Sequence, residues 1–362
     1  MKSERLSALD AGILEAEGSD PARQSGDRRR VKTVVPNEII AAAVQLACRA
    51  PSYHNSQPWR FVAEGAGVLH LYLDRDRLVE TDSSGRQALI SCGAVLDHLR
   101  VAMAAAGWAA NVDYYPNPSD HTHLAAIDFV PVSFVTPAHR RRADAILARR
   151  TDRLPFAAPA GWDDFELLLR PAVDDDLAVL DVLPDDARPE LAKAAQLTEA
   201  LRLYDSSYHA ELDWWTRPFE MFDGIPQSSL VSAAESDRVD IGRSFPVTHH
   251  RERRSQVNED HAKVLVLSAL DDTRRAIVTC GETLSVALLE ATVVGMATCT
   301  LSHMTEVEAS RAIVGGLTGH RLPQVLVRVG MIPWMAEVPS PTPRRPLIDV
   351  LTFQPSVTDS PR

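Results

Sequence analysis

Two long apolar helices, set 188 residues apart and alike in register, place the tightest limit on what this chain can fold into. The first is predicted from Gln87 to Gly107, with Cys92, Leu96, Leu99, Met103 and Ala106 on one stripe at helical spacing. Gly107 closes it, since glycine accepts the left-handed backbone of a helix end. The second is predicted from Thr273 to Gly295. Laid over one another without a gap, Ala88, Cys92, Gly93, Leu96, Gly107 and Ala109 fall on Ala276, Cys280, Gly281, Leu284, Gly295 and Ala297. Ile90 with Val278 and Ser91 with Thr279 are close in kind. Two glycines and a cysteine in register are hard to match by chance, so the chain reads as a tandem duplication with diverged halves.

The remaining elements fit two halves of ~150–200 residues. The first half, 35–136, holds a helix at Ile39–Ala50, a hairpin (Arg60–Ala63, a Gly65-Ala-Gly67 turn, Val68–Asp74), the long helix, and strands at Asn111–Tyr115 and Leu124–Pro131. The second, 137–352, opens with a helix near Pro137 and another at Trp162–Leu169. It continues with a strand at Leu177–Leu183, a helical region from Pro189 to Trp215, and a strand at Lys263–Leu270. After the long helix come an extended piece at Ala297–Ser302, a helix at Glu306–Val314 and a strand at Gln324–Met331. Residues 1–34 read as a disordered leader, and 353–362 as a tail. A net charge of -11 argues against nucleic acid or an anionic membrane surface as partner. No apolar run approaches the ~20 residues of a membrane span. Cys48, Cys92, Cys280 and Cys299 show no C-x-x-C pair and no metal spacing, which points to buried thiols in a reducing cytoplasm. His249-His250, set among Arg251, Arg253 and Arg254, makes an unpromising metal site. There is no G-x-G-x-x-G, Walker or G-x-S-x-G motif.

One stretch looks built for a ligand. Pro51 stops the first helix, and Ser52-Tyr-His-Asn-Ser-Gln57 then presents six hydrogen-bonding side chains before Pro58-Trp59. The run Ala50-Pro-Ser-x-x-Asn-Ser-Gln-Pro-Trp59 resembles the N-terminal signature of the FMN-dependent nitroreductase family, and Arg149-Arg-Thr-Asp-Arg153 resembles the Arg-x-Ser/Thr-x-Arg/Lys element that opens that fold. Pro343-Arg-Arg-Pro-Leu347 resembles the family's C-terminal basic residues before a last extended segment, here Leu347–Leu351. The resemblance covers about residues 35–352 and looks closest to the tandem, lidded Acg-type branch.

What the resemblance implies is an α+β, nitroreductase-like fold: two tandem halves forming an intramolecular pseudo-dimer, with mixed or antiparallel sheets and long central helices. FMN is the expected cofactor. Pro51, Ser52, Tyr53, Asn55 and Gln57 would come from the front of the chain. Arg149 would face phosphate or ribityl oxygens, Thr151 would add a hydroxyl, and Arg153 would lie near N1 and O2. Thr300, Leu301, Ser302 and His303 align with the turn along the ring edge. Ser302-His303 stands where the family often has Glu-Gly, and His303 is read as ring-adjacent rather than as an acid or base. Arg344 and Arg345 are both phosphate candidates, with Arg345 fitting the family spacing slightly better. The loop survives only in the first half and the arginine elements only in the second, so one FMN per chain is expected.

Two alternatives stay open at this point. Residues 217–258, with Phe219, Met221, Phe222 and the turn Asp223-Gly-Ile-Pro226, form either a lid over the flavin or a surface loop packing its aromatics on the helix before it. An open face implies a ping-pong oxidoreductase, reduced by NAD(P)H and reoxidised by a nitroaromatic or quinone. A covered face implies an FMN store with little turnover. A fused scaffold without cofactor is the remaining, unrelated reading. The internal interface removes the usual reason to dimerise, which leaves a monomer plausible.

Overall fold

Each of the long helices is set by its ends. In the computed structural model, which describes residues 33–354 apart from 66, 218–221, 247, 249, 250, 335, 337 and 339, the first spans Arg86–Ala105 and the second Arg274–Val293. The Asp82 carboxylate accepts the Gln87 and Ala88 N–H groups at 3.1 and 2.9 Å, and the Thr273 hydroxyl accepts that of Ala276 at 3.2 Å. Both are side chains meeting donors that a helix start leaves unpaired. Gly107 and Gly295 follow the two C-termini with φ of 89° and 83°. Of the stretches singled out above, residues 1–32, Phe219, Met221 and His249-His250 lie outside the described residues.

In chain order the elements are α1 (Asn37–Ala47), β1 (Trp59–Glu64), β2 (Val68–Leu73), α2 (Arg86–Ala105), β3 (Trp108–Tyr114), β4 (His123–Pro131) and α3 (Pro137–Ala148). Then come α4 (Trp162–Leu169), β5 (Val179–Leu183), α5 (Arg188–Arg202), α6 (Ser206–Trp215), α7 (Ala233–Ser236), β6 (Lys263–Ser268) and α8 (Arg274–Val293). The chain closes with β7 (Ala297–Leu301), α9 (His303–Glu306), α10 (Glu308–Thr318), β8 (Pro323–Gly330) and β9 (Leu351–Phe353). Two sheets result, in the orders β3-β4-β2-β1-β9 and β7-β8-β6-β5. Apart from β9, which pairs parallel with β1, every pairing is antiparallel. Taken in chain order rather than at a fixed offset, β1, β2, β3 and β4 correspond to β5, β6, β7 and β8, so the two sheets repeat one strand order.

The halves meet along α2 and α8, whose backbones touch. A Cβ on Gly93 would lie 1.9 Å from the Val278 carbonyl oxygen, and one on Gly281 would lie 2.1 Å from that of Ile90. Ile90 and Val278 are themselves counterparts, so the contact is reciprocal, as at a two-fold interface. One turn on, the Ser285 hydroxyl donates to the Asp97 carboxylate at 2.5 Å and pairs with His98 Nδ1 at 2.8 Å. Asp97 and Ser285 are again counterparts. Contrary to the sequence reading, α2 and α8 do reach the length and mean hydropathy (1.4 and 1.5) of a membrane span, but 78% of each such window is buried inside the molecule. They are its central pair.

Three element boundaries differ from expectation. The helical region from Pro189 breaks after Arg202, because the Asp205 carboxylate caps a new helix by accepting Tyr208 N–H at 3.0 Å. The helix expected at Glu306–Val314 is two, α9 and α10, separated by Val307 in extended backbone (φ -107°, ψ 128°). Leu347–Leu351 is not one extended segment: Leu347–Asp349 form a 3-10 turn, and the strand begins at Leu351 and takes in Phe353.

Gly93→Ala should therefore lower stability by roughly 3 kcal/mol, since neither backbone can retreat. The control is Gly316→Ala in α10, where a Cβ meets nothing within 4 Å. That change should be neutral or stabilising by ~0.5–1 kcal/mol. Chemical denaturation of both variants measures the contrast. A second expectation concerns pH. Burial pushes the Asp97 carboxyl up to about 6, against the pull of Ser285 and Arg100. The native state then holds that proton more tightly than the unfolded chain. Its stabilising contribution, at most about 3 kcal/mol, is full below about pH 4 and is lost as pH rises through the native value. Asp97→Asn should flatten that part of the melting-temperature profile.

Candidate functional site

The polar loop after α1 is held in backbone that most residues avoid. His54, Asn55 and Gln57 have φ of 51°, 58° and 52°, each in the left-handed region. The surroundings fix them. The Ser52 hydroxyl accepts Gln57 N–H at 3.1 Å, and Tyr53 N–H donates to Ser91 Oγ of α2 at 3.1 Å. The Asn55 amide donates to the carbonyls of Gly224 and Pro343 at 3.0 and 3.1 Å. The Gln57 amide donates to Phe222 O at 2.8 Å, while its oxygen accepts Arg345 N–H at 2.9 Å. Strained residues pinned from three distant segments are the mark of a functional loop.

Opposite the loop, α3 ends at Ala148 and delivers Arg149 to Arg153. Thr151 bridges Thr298 of β7, and Asp152 N–H donates to Thr298 O at 2.9 Å. Alternation along this extended backbone turns Thr151 and Arg153 one way and Asp152 the other.

Between loop and arginines lie two adjoining cavities, of about 650 and 50 Å³. Both are lined by Pro51, Ser52, His54, Thr151, Arg153 and Ile225. The smaller is walled by Arg49, Arg149, Arg150, Arg153 and Arg344, with no carboxylate among its described lining residues. Burial, then the neighbouring Arg49 and Arg150, bring the Arg149 guanidinium down to about 10. Burial, then Arg49 and Arg149, hold Arg344 well below the usual range. These cations repel one another, and no carboxylate pairs with them among the described residues. Arg149 Nε and Nη1 and Asn55 Oδ1 are buried without a hydrogen-bond partner among the described residues. Buried polar atoms of this kind call for a ligand or water.

The larger cavity has Ile90, Ser91 and Gln87 of α2 and Leu284 of α8 in its walls, with Cys299, Thr300, Leu301 and Ser302 at and after β7. Thr300 Oγ1 is also buried and unpartnered. The side away from the helices is formed by α5 and by Val231 and Ser236–Phe245 of the segment expected as a lid.

Of the residues singled out from sequence, Pro51, Ser52, Tyr53, Asn55, Arg149, Thr151, Arg153, Thr300, Leu301, Ser302 and Arg344 line one cavity or both. Gln57, His303 and Arg345 line neither. Gln57 is fully buried and ties the loop down. His303 is enclosed behind Ser302, held neutral by burial and then by Arg243 and Arg202. Arg345 pairs with Asp74 at 3.3 Å and donates to Asp349 O at 2.8 Å. Of the arginine pair that spacing left open, Arg344 is therefore the one at the cavity, against the slight preference for Arg345. Its own hydrogen bonds go to Cys48, Arg49 and Ala50 carbonyls at 2.8–3.1 Å, capping the end of α1.

Sequence reading missed Arg243. It lines the large cavity, forms an ion pair with Glu306, and donates to the Tyr53 hydroxyl at 3.3 Å. Glu306 also takes Arg202 at 3.3 Å and the Ser302 hydroxyl at 2.8 Å. Arg243 sits in a stretch with no period and no motif, so nothing local marks it. His54, inside the signature but not singled out, stacks on Trp215 with ring centres 6.3 Å apart and lies 3.7 Å from the Glu211 carboxylate.

Comparison with known proteins adds the following. No family model matches the sequence. The protein named "Putative NAD(P)H nitroreductase acg" of Mycobacterium tuberculosis (strain H37Rv) is 61% identical over 320 residues, 88% of this chain and 96% of that protein. "Uncharacterized protein Rv3127" of the same strain is 56% identical over 321 residues, 87% and 93% of the two. Among solved structures, the FMN-dependent nitroreductase NfnB from Mycobacterium smegmatis in complex with NADPH aligns with a TM-score of 0.39 at 15% identity, over 60% of this chain and 99% of that one. The near-complete alignment with the first of these relatives makes this chain a member of the nitroreductase family, in its Acg branch.

Proposed function

We propose that this chain is a nitroreductase-type flavoprotein that holds one FMN in the composite cavity, phosphate at the arginine cluster and ring in the larger chamber. The carrying observation is the small cavity with five arginines and no carboxylate among its described walls. A dianionic phosphate relieves their repulsion, and the unpartnered Nε and Nη1 of Arg149 leave that guanidinium with donors to give it. The Thr151 hydroxyl and the Asn55 Oδ1, an acceptor without a partner, are placed for ribityl hydroxyls. Arg153 lines both cavities, as a cation near the N1–O2 edge of the ring must. Ile90 and Leu284 give the ring an apolar floor. Once bound, FMN supplies two-electron transfer from reduced nicotinamide to a nitroaromatic or quinone acceptor in alternation.

The single site follows from the proposed duplication, which the equal strand orders and the reciprocal glycine contact support. At the fixed offset, the turn at Thr300–His303 corresponds to Val112–Tyr115. There the Tyr114 hydroxyl donates to Glu282 at 2.6 Å, Arg100 pairs with Glu282 at 2.7 Å, and the Arg275 guanidinium sits 5.0 Å from the Tyr114 ring centre. Side chains fill the counterpart position. A monomer in the cytoplasm belongs to the same reading, with four unpaired, buried cysteines in its support.

A second reading, FMN storage with little turnover, is favoured by one observation. The segment from Phe222 to Asn258 walls the large cavity and is stapled to the body by ion pairs: Arg77–Asp223, Arg243–Glu306 and Arg254–Asp152. Access to the ring decides between the two.

Anaerobic stopped-flow mixing of the yellow protein with NADPH or NADH is the discriminating measurement. Bleaching within milliseconds to seconds is the enzyme's signature, and no bleaching over minutes is the store's. Arg149→Met should weaken FMN by ~1.5–3 kcal/mol, about 10- to 100-fold in Kd, without changing the circular dichroism of the apoprotein. Titration of the unaltered chain should saturate at one FMN, and a colourless chain that takes up none would overturn the proposal.

A further inference from the structure

Arg153 has a carboxylate beside it in sequence yet stays unpaired. Asp152 is 1% exposed and lies between the two cavity residues Thr151 and Arg153. A buried acid this close would ordinarily cancel a neighbouring cation. Instead its Oδ1 accepts Leu154 N–H at 3.0 Å and its Oδ2 pairs with Arg254. Arg254 is wholly buried, belongs to the segment that walls the cavity, and also donates to Pro155 O at 3.2 Å. Its guanidinium lies 5.5 Å from the Phe156 ring centre, with that of Arg328 at 4.9 Å from the same ring. The next acid is likewise matched: Asp260 takes Arg328 at 2.5 Å and Arg188 at 3.0 Å. Arg153 is left with Ser229 O at 3.4 Å and the Phe245 ring at 5.0 Å, and makes no ion pair among the described residues.

We infer that Arg254 is a positioning residue for the cavity: it holds and neutralises the Asp152 carboxylate behind Arg153, so that the Arg153 cation is available to what the cavity holds. The segment expected as a lid thereby sets the charge of the site from behind, whether or not it moves. This rests on the FMN reading above, and the predicted effects separate the two.

The test is the FMN dissociation constant, from quenching of flavin fluorescence, and the midpoint potential of bound FMN, from equilibration with a reference dye. Both are measured for the unaltered chain, Arg254→Met, Asp152→Asn and the double variant. Arg254→Met leaves the Asp152 charge uncompensated beside Arg153, so Kd should rise about tenfold or more and the potential should fall. Asp152→Asn leaves Arg254 as an added cation behind Arg153, so the potential should rise with no weakening of FMN. The double variant should return Kd to within about threefold of the unaltered chain. A double variant as impaired as Arg254→Met, or an Asp152→Asn potential that falls or stays put, overturns the inference. Should Arg254→Met fail to fold, the other two variants still decide. If the unaltered chain takes up no FMN, the functional proposal fails and this inference with it. If it binds FMN and the variants do not move as stated, only the inference fails.

Discussion

Between Gly93 and Gly281 two helix backbones meet with no side chain in between, and the position of everything else follows from that approach. A methyl group on either helix would hold them apart. With them in contact, Ser91 of α2 reaches Tyr53 N–H in the polar loop while Leu284 of α8 comes to the same cavity wall. The site is thus built across the seam between α2 and α8, with α3 packing on both helices and handing Arg149–Arg153 to the cavities. The same seam carries a matched polar pair, Asp97 with Ser285.

Charge is distributed against the average. The chain is acidic overall, yet the small cavity gathers five arginines. Many other arginines are tied to a carboxylate, and several of these pairs join the cavity-walling segment to the body. The contrast between paired and unpaired guanidinium groups marks the ligand end of the cavity more sharply than its shape does. Buried ion pairs add modestly to net stability, but removing one partner is costly, so they hold geometry well.

What could be read from the sequence was what is local or periodic. The α2/α8 repeat was legible because helix stripes and terminal glycines leave a fixed pattern, and the structure places the matched glycines at the contact. The Ser52–Gln57 loop and Arg149–Arg153 stood out by residue type and spacing, and most of their members line the cavities. Arg344 and Arg345 could not be separated, because their difference lies in what they meet far away in the chain, 296 residues back at Cys48 for one and 271 back at Asp74 for the other. Arg243 and Arg254 left no local trace, since only the folded path brings them to Glu306 and Asp152. The break between α5 and α6 was legible in Asp205 but was overridden by the run of helix formers on either side.

The last strand has a bearing on how the molecule is made. β9 lies beside β1, and Pro343 and Arg344 close the loop and the end of α1, so residues some 290 positions after β1 complete the sheet that β1 opens. Pairings that span so much of the polypeptide form late, after the intervening loop has been closed. While residues 342–353 are undocked, the small cavity lacks Thr342 and Arg344 from its wall and the Asn55 amide lacks one of its two acceptors. The arginine end of the cavity therefore shares its integrity with one edge of a sheet, and whatever loosens β9 from β1 loosens both.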